Sequence, residues 1–141
     1  MGQKNDALHA ADIAVFRWNA TKDADYAGEH AYPYLKECLT SFTDYAVSEN
    51  GMPAIRDDAV HEAPYYRDDF DENDYPYIHD KNSILTPGLL RMCIPAAIDM
   101  AEALGIDEDK RAEWRAFLNR LPPFPTFIRK GKKVYRYTEE G

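Results

Sequence analysis

The sequence predicts a mainly α-helical protein in which two helical hairpins are separated by a long loop and followed by a small C-terminal β-hairpin. Apolar residues recur at three- or four-residue steps in four segments, which places them on one face of a helix. The sequence has no strand–helix alternation and no Gly-rich phosphate loop. Its 141 residues suit a single modest domain.

The apolar spacing and the flanking residues set the expected helix bounds. Asp23 is a candidate N-cap of the second helix, and Asn50-Gly51 supplies its left-handed stop. Thr86 caps the third helix, Pro87 occupies its first position, and Gly105 ends it. We expect helices over about residues 5–19, 24–48, 86–104 and from 107 to the prolines at 122–123.

Two prolines lie inside these predicted helices. Pro33 lacks an amide hydrogen and disfavours helix at Tyr32, so we expect a break or kink near residues 32–33. Pro95 predicts another kink in the third helix. The C-terminal hairpin is expected from residues 126–128 and 134–137, which flank Lys130-Gly131.

The helical pattern fails in one long segment, from Gly51 to Asn82. Unstructured connections longer than about 15 residues are uncommon in compact domains. The segment is rich in Asp and in aromatic residues, whereas disordered segments are poor in aromatics. We therefore interpret residues 51–82 as an ordered functional loop.

Composition excludes some classes of partner. The formal net charge of -8 argues against duplex nucleic acid or an anionic membrane surface as the main partner. Cys38 and Cys93 lie among apolar residues and are expected to be buried free thiols. The 141-residue sequence shows no signal sequence. None of its apolar runs approaches the roughly 20 residues that are needed to span a bilayer. A parent chain with an upstream signal would be periplasmic or secreted, so localisation stays open.

Three stretches carry a resemblance to a known family: residues 16–26 (FRWNATKDADY), 31–37 (AYPYLKE) and 51–62 (GMPAIRDDAVHE). Together they resemble the catalytic domain of (α/α)6-barrel glycoside hydrolases. Family 95, the α-L-fucosidase and α-L-galactosidase group, is the nearest, and family 65 is a relative. Residues 80–83 (DKNS) and 104–107 (LGID) also fit that family. In the family the third stretch ends in Ser-Pro-Glu, and here it ends in Val60-His61-Glu62.

The resemblance implies a fold larger than this chain. An (α/α)6 toroid has twelve helices, and four are expected here, so residues 1–141 would form one partial domain of a longer catalytic barrel. Its partners would be a carbohydrate substrate and the rest of the barrel, or a second copy through self-association. Trp18, Phe42 and Trp114 lie on apolar stripes for which we expect further neighbours.

The resemblance also implies a general acid, Glu62, and an inverting mechanism. Apolar neighbours and the nearby carboxylates would keep such an acid protonated. The general base would lie outside the segment, so the isolated chain is expected to be inactive. Asp57, Asp58 and Asp68 are further candidates for the base, but loop capping or solvation suits each of them better.

Five residues are candidates for substrate binding. His61 adjoins the acid and would bind a hydroxyl group, or make a structural hydrogen bond. Trp18, Tyr65 and Tyr66 would stack on pyranose rings, or pack in the core and the loop. Arg56 would reach the substrate, or form an ion pair with local Asp residues, which we favour.

No cofactor or metal is expected. Residues 69–80 begin like a calcium loop, but their sixth and twelfth positions are Asp74 and Asp80 rather than Gly and Glu. The alternative to an enzyme is a non-catalytic α-helical module that binds carbohydrate or protein through the long loop. A barrel protein that kept its fold and lost catalysis is a third interpretation.

Overall fold

The chain is mainly helical, as the apolar spacing predicts. The computed structural model describes residues 4–56, 58 and 81–139. Helix α4 lies at the centre of these residues and packs on α1, α3 and α5. The elements in chain order are α1 (Asp6–Thr21), α2 (Ala24–Tyr26), a π-helical turn (Ala27–Ala31), α3 (Tyr32–Tyr45), β1 (Val47–Glu49), β2 (Met52–Ala54), α4 (Leu85–Leu104), α5 (Glu108–Arg120), β3 (Thr126–Arg129) and β4 (Lys132–Tyr135).

The hydrophobic core confirms most of the apolar faces that the helical spacing predicts, although Tyr45, on the predicted face of the second helix, is 43% exposed. Both cysteines are buried free thiols, as expected. The largest aromatic side chains are also covered: Trp18 is 2% exposed, Phe42 5% and Trp114 0%. The expectation that these three need further neighbours is therefore wrong, because all three are buried within this chain. On α1 the residues that recur at three- or four-residue steps, Leu8, Ala11, Val15 and Trp18, are all buried.

The predicted second helix is continuous but changes pitch before its proline. The N–H of Tyr32 donates to the carbonyl oxygen of Ala27, five residues earlier, which is the π-helical spacing. Pro33 then lies in the first turn of α3, where its missing amide hydrogen costs least. Instead of the break expected near residues 32–33, the chain forms a widened π-helical turn at Ala27–Ala31, just before Pro33. Asp23 caps α2 as predicted and accepts a hydrogen bond from the N–H of Tyr26 at 3.0 Å.

The Asn50-Gly51 pair forms a hairpin turn rather than a helix stop. Helix α3 ends at Tyr45, and β1 and β2 then pair antiparallel with Glu49 opposite Met52. Asn50 and Gly51 both have positive φ, 51° and 80°. Two such residues between short strands are typical of a type I′ turn. The predicted extension of the helix to residue 48 is therefore wrong.

Helix α4 runs through Pro95 and ends at Gly105, whose φ of 68° is left-handed, as predicted. Thr86 and Pro87 lie inside its first turn, so Thr86 is not the N-cap. Asp107 precedes α5 as expected, but its side chain makes no capping hydrogen bond. Its Oδ2 instead accepts from the hydroxyl of Tyr32 at 2.7 Å and from Nζ of Lys36 at 2.6 Å, which ties α5 to α3.

The C-terminal hairpin is present as predicted, with its second strand beginning earlier, at Lys132. Arg129 pairs with Lys132 across the turn formed by Lys130 and Gly131. Among the described residues, no helix is long and apolar enough to cross a membrane.

Candidate functional site

The predicted catalytic residue lies outside the described residues. The structure places Arg56, Asp58 and Trp18 and describes the residues on both sides of segment 57–80. The candidates outside the described residues are Glu62, His61, Tyr65, Tyr66, Asp57 and Asp68.

The residues that flank segment 57–80 are joined to each other. Arg56 and Lys81 form an isolated antiparallel β-bridge. Next to it, the N–H of Ile55 donates to Oδ1 of Asn82 at 2.8 Å, and the N–H of Asn82 donates to the carbonyl oxygen of Ile55 at 2.8 Å. The segment that carries Glu62 therefore leaves and re-enters the described fold at one place, beside the start of α4.

Charged side chains reinforce this junction. Glu49 binds the guanidinium of Arg56 at 2.7 Å and Nζ of Lys81 at 3.0 Å. Lys81 also lies 3.4 Å from Oε1 of Glu139, whose Oε2 accepts from Nδ2 of Asn82 at 2.6 Å. The hydrogen bond from Lys81, more than the one from Arg56, lowers the pKa of Glu49. We call the set of Glu49, Ile55, Arg56, Lys81, Asn82 and Glu139 the loop anchor.

Arg56 thus makes the ion pair that we favoured, although its described partner is Glu49 and not a neighbouring Asp. The ion pair with Glu49 gives the guanidinium group of Arg56 a partner within the protein.

Asp58 is a buried carboxyl at the N-terminal end of α4. Its side chain is 0% exposed, and its Oδ2 accepts from the hydroxyl of Ser83 at 2.6 Å. Ser83 lies 3.4 Å from the hydroxyl of Thr86, which accepts from Nδ2 of Asn5 at 3.4 Å. Burial raises the pKa of Asp58, against the opposing effect of these hydrogen bonds. A general base needs contact with water, so the structure favours the capping role for Asp58.

Trp18 belongs to the core. Its indole N–H donates to Oδ2 of Asp99 at 2.8 Å, and the ammonium of Lys22 lies 4.9 Å from the centre of its ring system. Because 2% of the side chain is exposed, its faces are covered by protein. This favours the packing role that we weighed for Trp18 over stacking on a sugar.

Sequence reasoning missed the anchoring roles of Glu49, Asn82 and Glu139. Asn82 had one local signal, its position before a predicted helix, but its φ of 48° and its bond to Ile55 are tertiary features. The two glutamates have no local signal, because their partners are distant in sequence.

Within the described part of the chain, no three His, Cys, Asp or Glu side chains are grouped to hold a metal ion. Comparison of the chain with protein-family models, curated proteins and solved structures found no match.

Proposed function

We propose that this chain is part of a glycoside hydrolase built as an (α/α)6 toroid, and that Glu62 is the general acid of an inverting reaction. In such a reaction a carboxylic acid protonates the leaving oxygen. A second carboxylate, about 6.5–9.5 Å from it, activates water on the opposite face of the sugar. The base belongs to parts of the barrel outside this segment.

The loop anchor is the observation that carries this proposal. A catalytic carboxyl group must be held in a fixed position. Catalytic side chains are positioned more precisely when helices or strands carry them and further hydrogen bonds hold them in place. The anchor joins both ends of segment 57–80 to β2 and to the start of α4. Anchoring at both ends supports the proposal that the segment holds a catalytic residue in a fixed position.

The surroundings of Asp58 support the choice of an acid. A general acid near neutral pH needs a raised pKa, which burial provides. Burial raises the pKa of Asp58, four positions before Glu62. Burial of the same kind around Glu62 would keep its carboxyl group protonated.

Glu62→Gln in the protein that carries this segment tests the acid role. General acid catalysis contributes about 10²–10⁴-fold, so turnover of an unactivated disaccharide should fall by about that factor. A p-nitrophenyl glycoside leaves without much protonation, so its turnover should fall much less. Glu72→Gln, in the same segment, is the matched control and should keep full activity. Equal losses for both substrates, or unchanged turnover, would remove Glu62 from the mechanism.

A second candidate function has its own supporting observation. Trp18, Phe42 and Trp114 are all buried within the described residues, as a free-standing helical module would require. Such a module would bind carbohydrate or protein without catalysis. A monodisperse, stable monomer with sugar affinity and no turnover, unaffected by Glu62→Gln, would favour the module over the enzyme.

A further inference from the structure

The β3–β4 hairpin carries an unusual concentration of positive charge. The whole protein has 17 basic and 25 acidic residues. Four exposed basic side chains nevertheless lie within five positions at the hairpin tip, with no acidic residue among them. They are Arg129, Lys130, Lys132 and Lys133. We call these four residues the basic tip.

The four residues of the basic tip have no anionic partner among residues 4–56, 58 and 81–139. Basic side chains elsewhere are used in the fold. Lys36 pairs with Asp107, Lys110 with Glu113, and Arg115 with Glu102. None of the four tip residues makes an ion pair with a described carboxylate. With respect to the described residues, these charges are open to an anion.

Exposed apolar side chains accompany these charges on each face of the hairpin. The strand register places Ile128 and Tyr135 on the face of Lys133, and both are 68% exposed. Phe127, on the opposite face, is 43% exposed. The ring of Tyr135 packs edge-on against Phe124, with ring centres 6.1 Å apart, so its orientation is fixed although it is exposed.

The base of the hairpin is attached to the loop anchor. The N–H of Ile84 donates to the carbonyl oxygen of Tyr137 at 2.6 Å, and the N–H of Glu139 donates to the carbonyl oxygen of Lys81 at 2.9 Å. The base of the hairpin therefore lies beside the place where segment 57–80 begins and ends.

We propose that the β3–β4 hairpin binds an anionic glycan, whose carboxylate or sulfate groups pair with the basic tip while a pyranose ring packs on Tyr135. The choice of a sugar over other polyanions rests on the proposed function, because it makes this glycan the substrate class of the same protein.

Charge favours a glycan over a nucleic acid. Binding of nucleic acid depends on neutralising many closely spaced phosphates, and the remainder of this chain is strongly acidic. A glycan with one anionic group on some of its sugars would meet the basic tip without bringing a continuous negative backbone against the acidic surface. Its uncharged ring faces would suit Tyr135 and Ile128.

The test compares two matched polymers, carboxymethyl-dextran and unmodified dextran, by calorimetry or interferometry with the full chain. We expect binding of carboxymethyl-dextran alone, weakening from about 50 to 300 mM salt as the charges are screened. Lys130→Gln/Lys132→Gln/Lys133→Gln should weaken it at least tenfold. The matched control, Lys110→Gln/Arg115→Gln/Arg120→Gln on α5, removes the same net charge and should change it less than threefold.

Tyr135→Leu separates stacking from charge. It should weaken binding about fivefold while leaving the salt dependence unchanged, since a stacking contact contributes about 1 kcal/mol. Equal losses in the two triple variants would overturn the proposal, because net charge alone would explain the binding. Tighter binding of a single-stranded dT20 oligonucleotide than of carboxymethyl-dextran, or equal binding of both dextrans, would also overturn it.

These outcomes are independent of catalysis. Binding of carboxymethyl-dextran by the full chain, together with unchanged turnover of Glu62→Gln in the protein that carries it, would refute the proposed function and keep this site. Turnover of neutral glycosides without binding of carboxymethyl-dextran would do the reverse.

Discussion

Ile55 and Asn82 hold each other by two hydrogen bonds of 2.8 Å, one between backbone groups and one to the side-chain Oδ1 of Asn82. Both residues are buried, 1% and 3% exposed. Asn82 has a φ of 48°, a left-handed conformation that Asn tolerates better than most residues. One residue therefore supplies the turn, the buried acceptor and a donor to Glu139.

Asn82→Ala should destabilise the chain by about 2–5 kcal/mol. The change leaves the N–H of Ile55 buried without its acceptor, which costs about 1–3 kcal/mol. It also places an alanine in the left-handed region, at about 1–2 kcal/mol. The urea midpoint of the full chain measures the loss.

Asn82→Gly is the control for the backbone contribution. Glycine adopts the positive φ freely, but like alanine it lacks the side-chain acceptor. Asn82→Gly should therefore lose less stability than Asn82→Ala, by about 1 kcal/mol. Identical midpoints for the two variants would mean that the left-handed conformation contributes nothing to the cost.

The helices were predictable because their signal is local. The positions of Leu8, Ala11 and Val15 follow from the 3.6-residue period alone, and all three are buried. The β1–β2 hairpin also had a local signal, Asn50-Gly51, which we interpreted as a helix stop because the preceding apolar pattern was helical. That pattern carried more weight than turn chemistry, and the interpretation was wrong.

The contacts that build the loop anchor could not be predicted in this way. Ile55 and Asn82 are 27 positions apart, and Trp18 and Asp99 are 81 apart. No periodicity within one element specifies which distant polar group an indole or an amide will meet. The sequence therefore offered core packing as one of two roles for Trp18, beside stacking on a sugar, and gave no indication of Asp99.

Trp18→Phe should lower stability by about 1–3 kcal/mol and leave binding of sugar unchanged. Phenylalanine keeps most of the buried area but removes the donor to Asp99, and hydrogen bonds to charged groups contribute about 1.5–3 kcal/mol when buried. Asp99 is partly solvated, so the lower part of that range is expected. Asp99→Asn keeps an acceptor and should cost less. A loss of sugar affinity in a folded Trp18→Phe chain would return Trp18 to the binding site.

The pH dependence of stability should reveal Asp58. Burial raises its pKa in the folded chain above the unfolded value of about 3.9. Its stabilising contribution is therefore complete below that value and is lost as pH rises through the folded pKa. Asp58→Asn stays neutral at every pH, so its stability relative to the unmodified chain should increase as pH rises from about 4 to 7. Urea titrations at several pH values measure this difference.

Glu49→Gln provides a control of opposite sign. Its ion pair with Lys81, and then the one with Arg56, lowers the pKa of Glu49, so its contribution is present above the unfolded value of about 4.3 and is lost as pH falls. The stability of Glu49→Gln relative to the unmodified chain should therefore decrease as pH rises from about 3 to 6, the range in which the unfolded carboxyl group ionises. The same trend in both variants would contradict the environment assigned to Asp58.

Cys93 should be inert to thiol reagents until the chain opens. Its side chain is 0% exposed, and burial raises the pKa of the thiol to about 12. At pH 8 the reactive thiolate is then on the order of one part in ten thousand. In a Cys38→Ser chain, Ellman's reagent should detect no thiol on the scale of minutes, and one thiol in concentrated guanidinium. Because Cys93 lies on α4, which contacts α1, α3 and α5, its slow reaction would report opening of the core. Rapid labelling of the folded Cys38→Ser chain would show that α4 is not the closed centre of this fold.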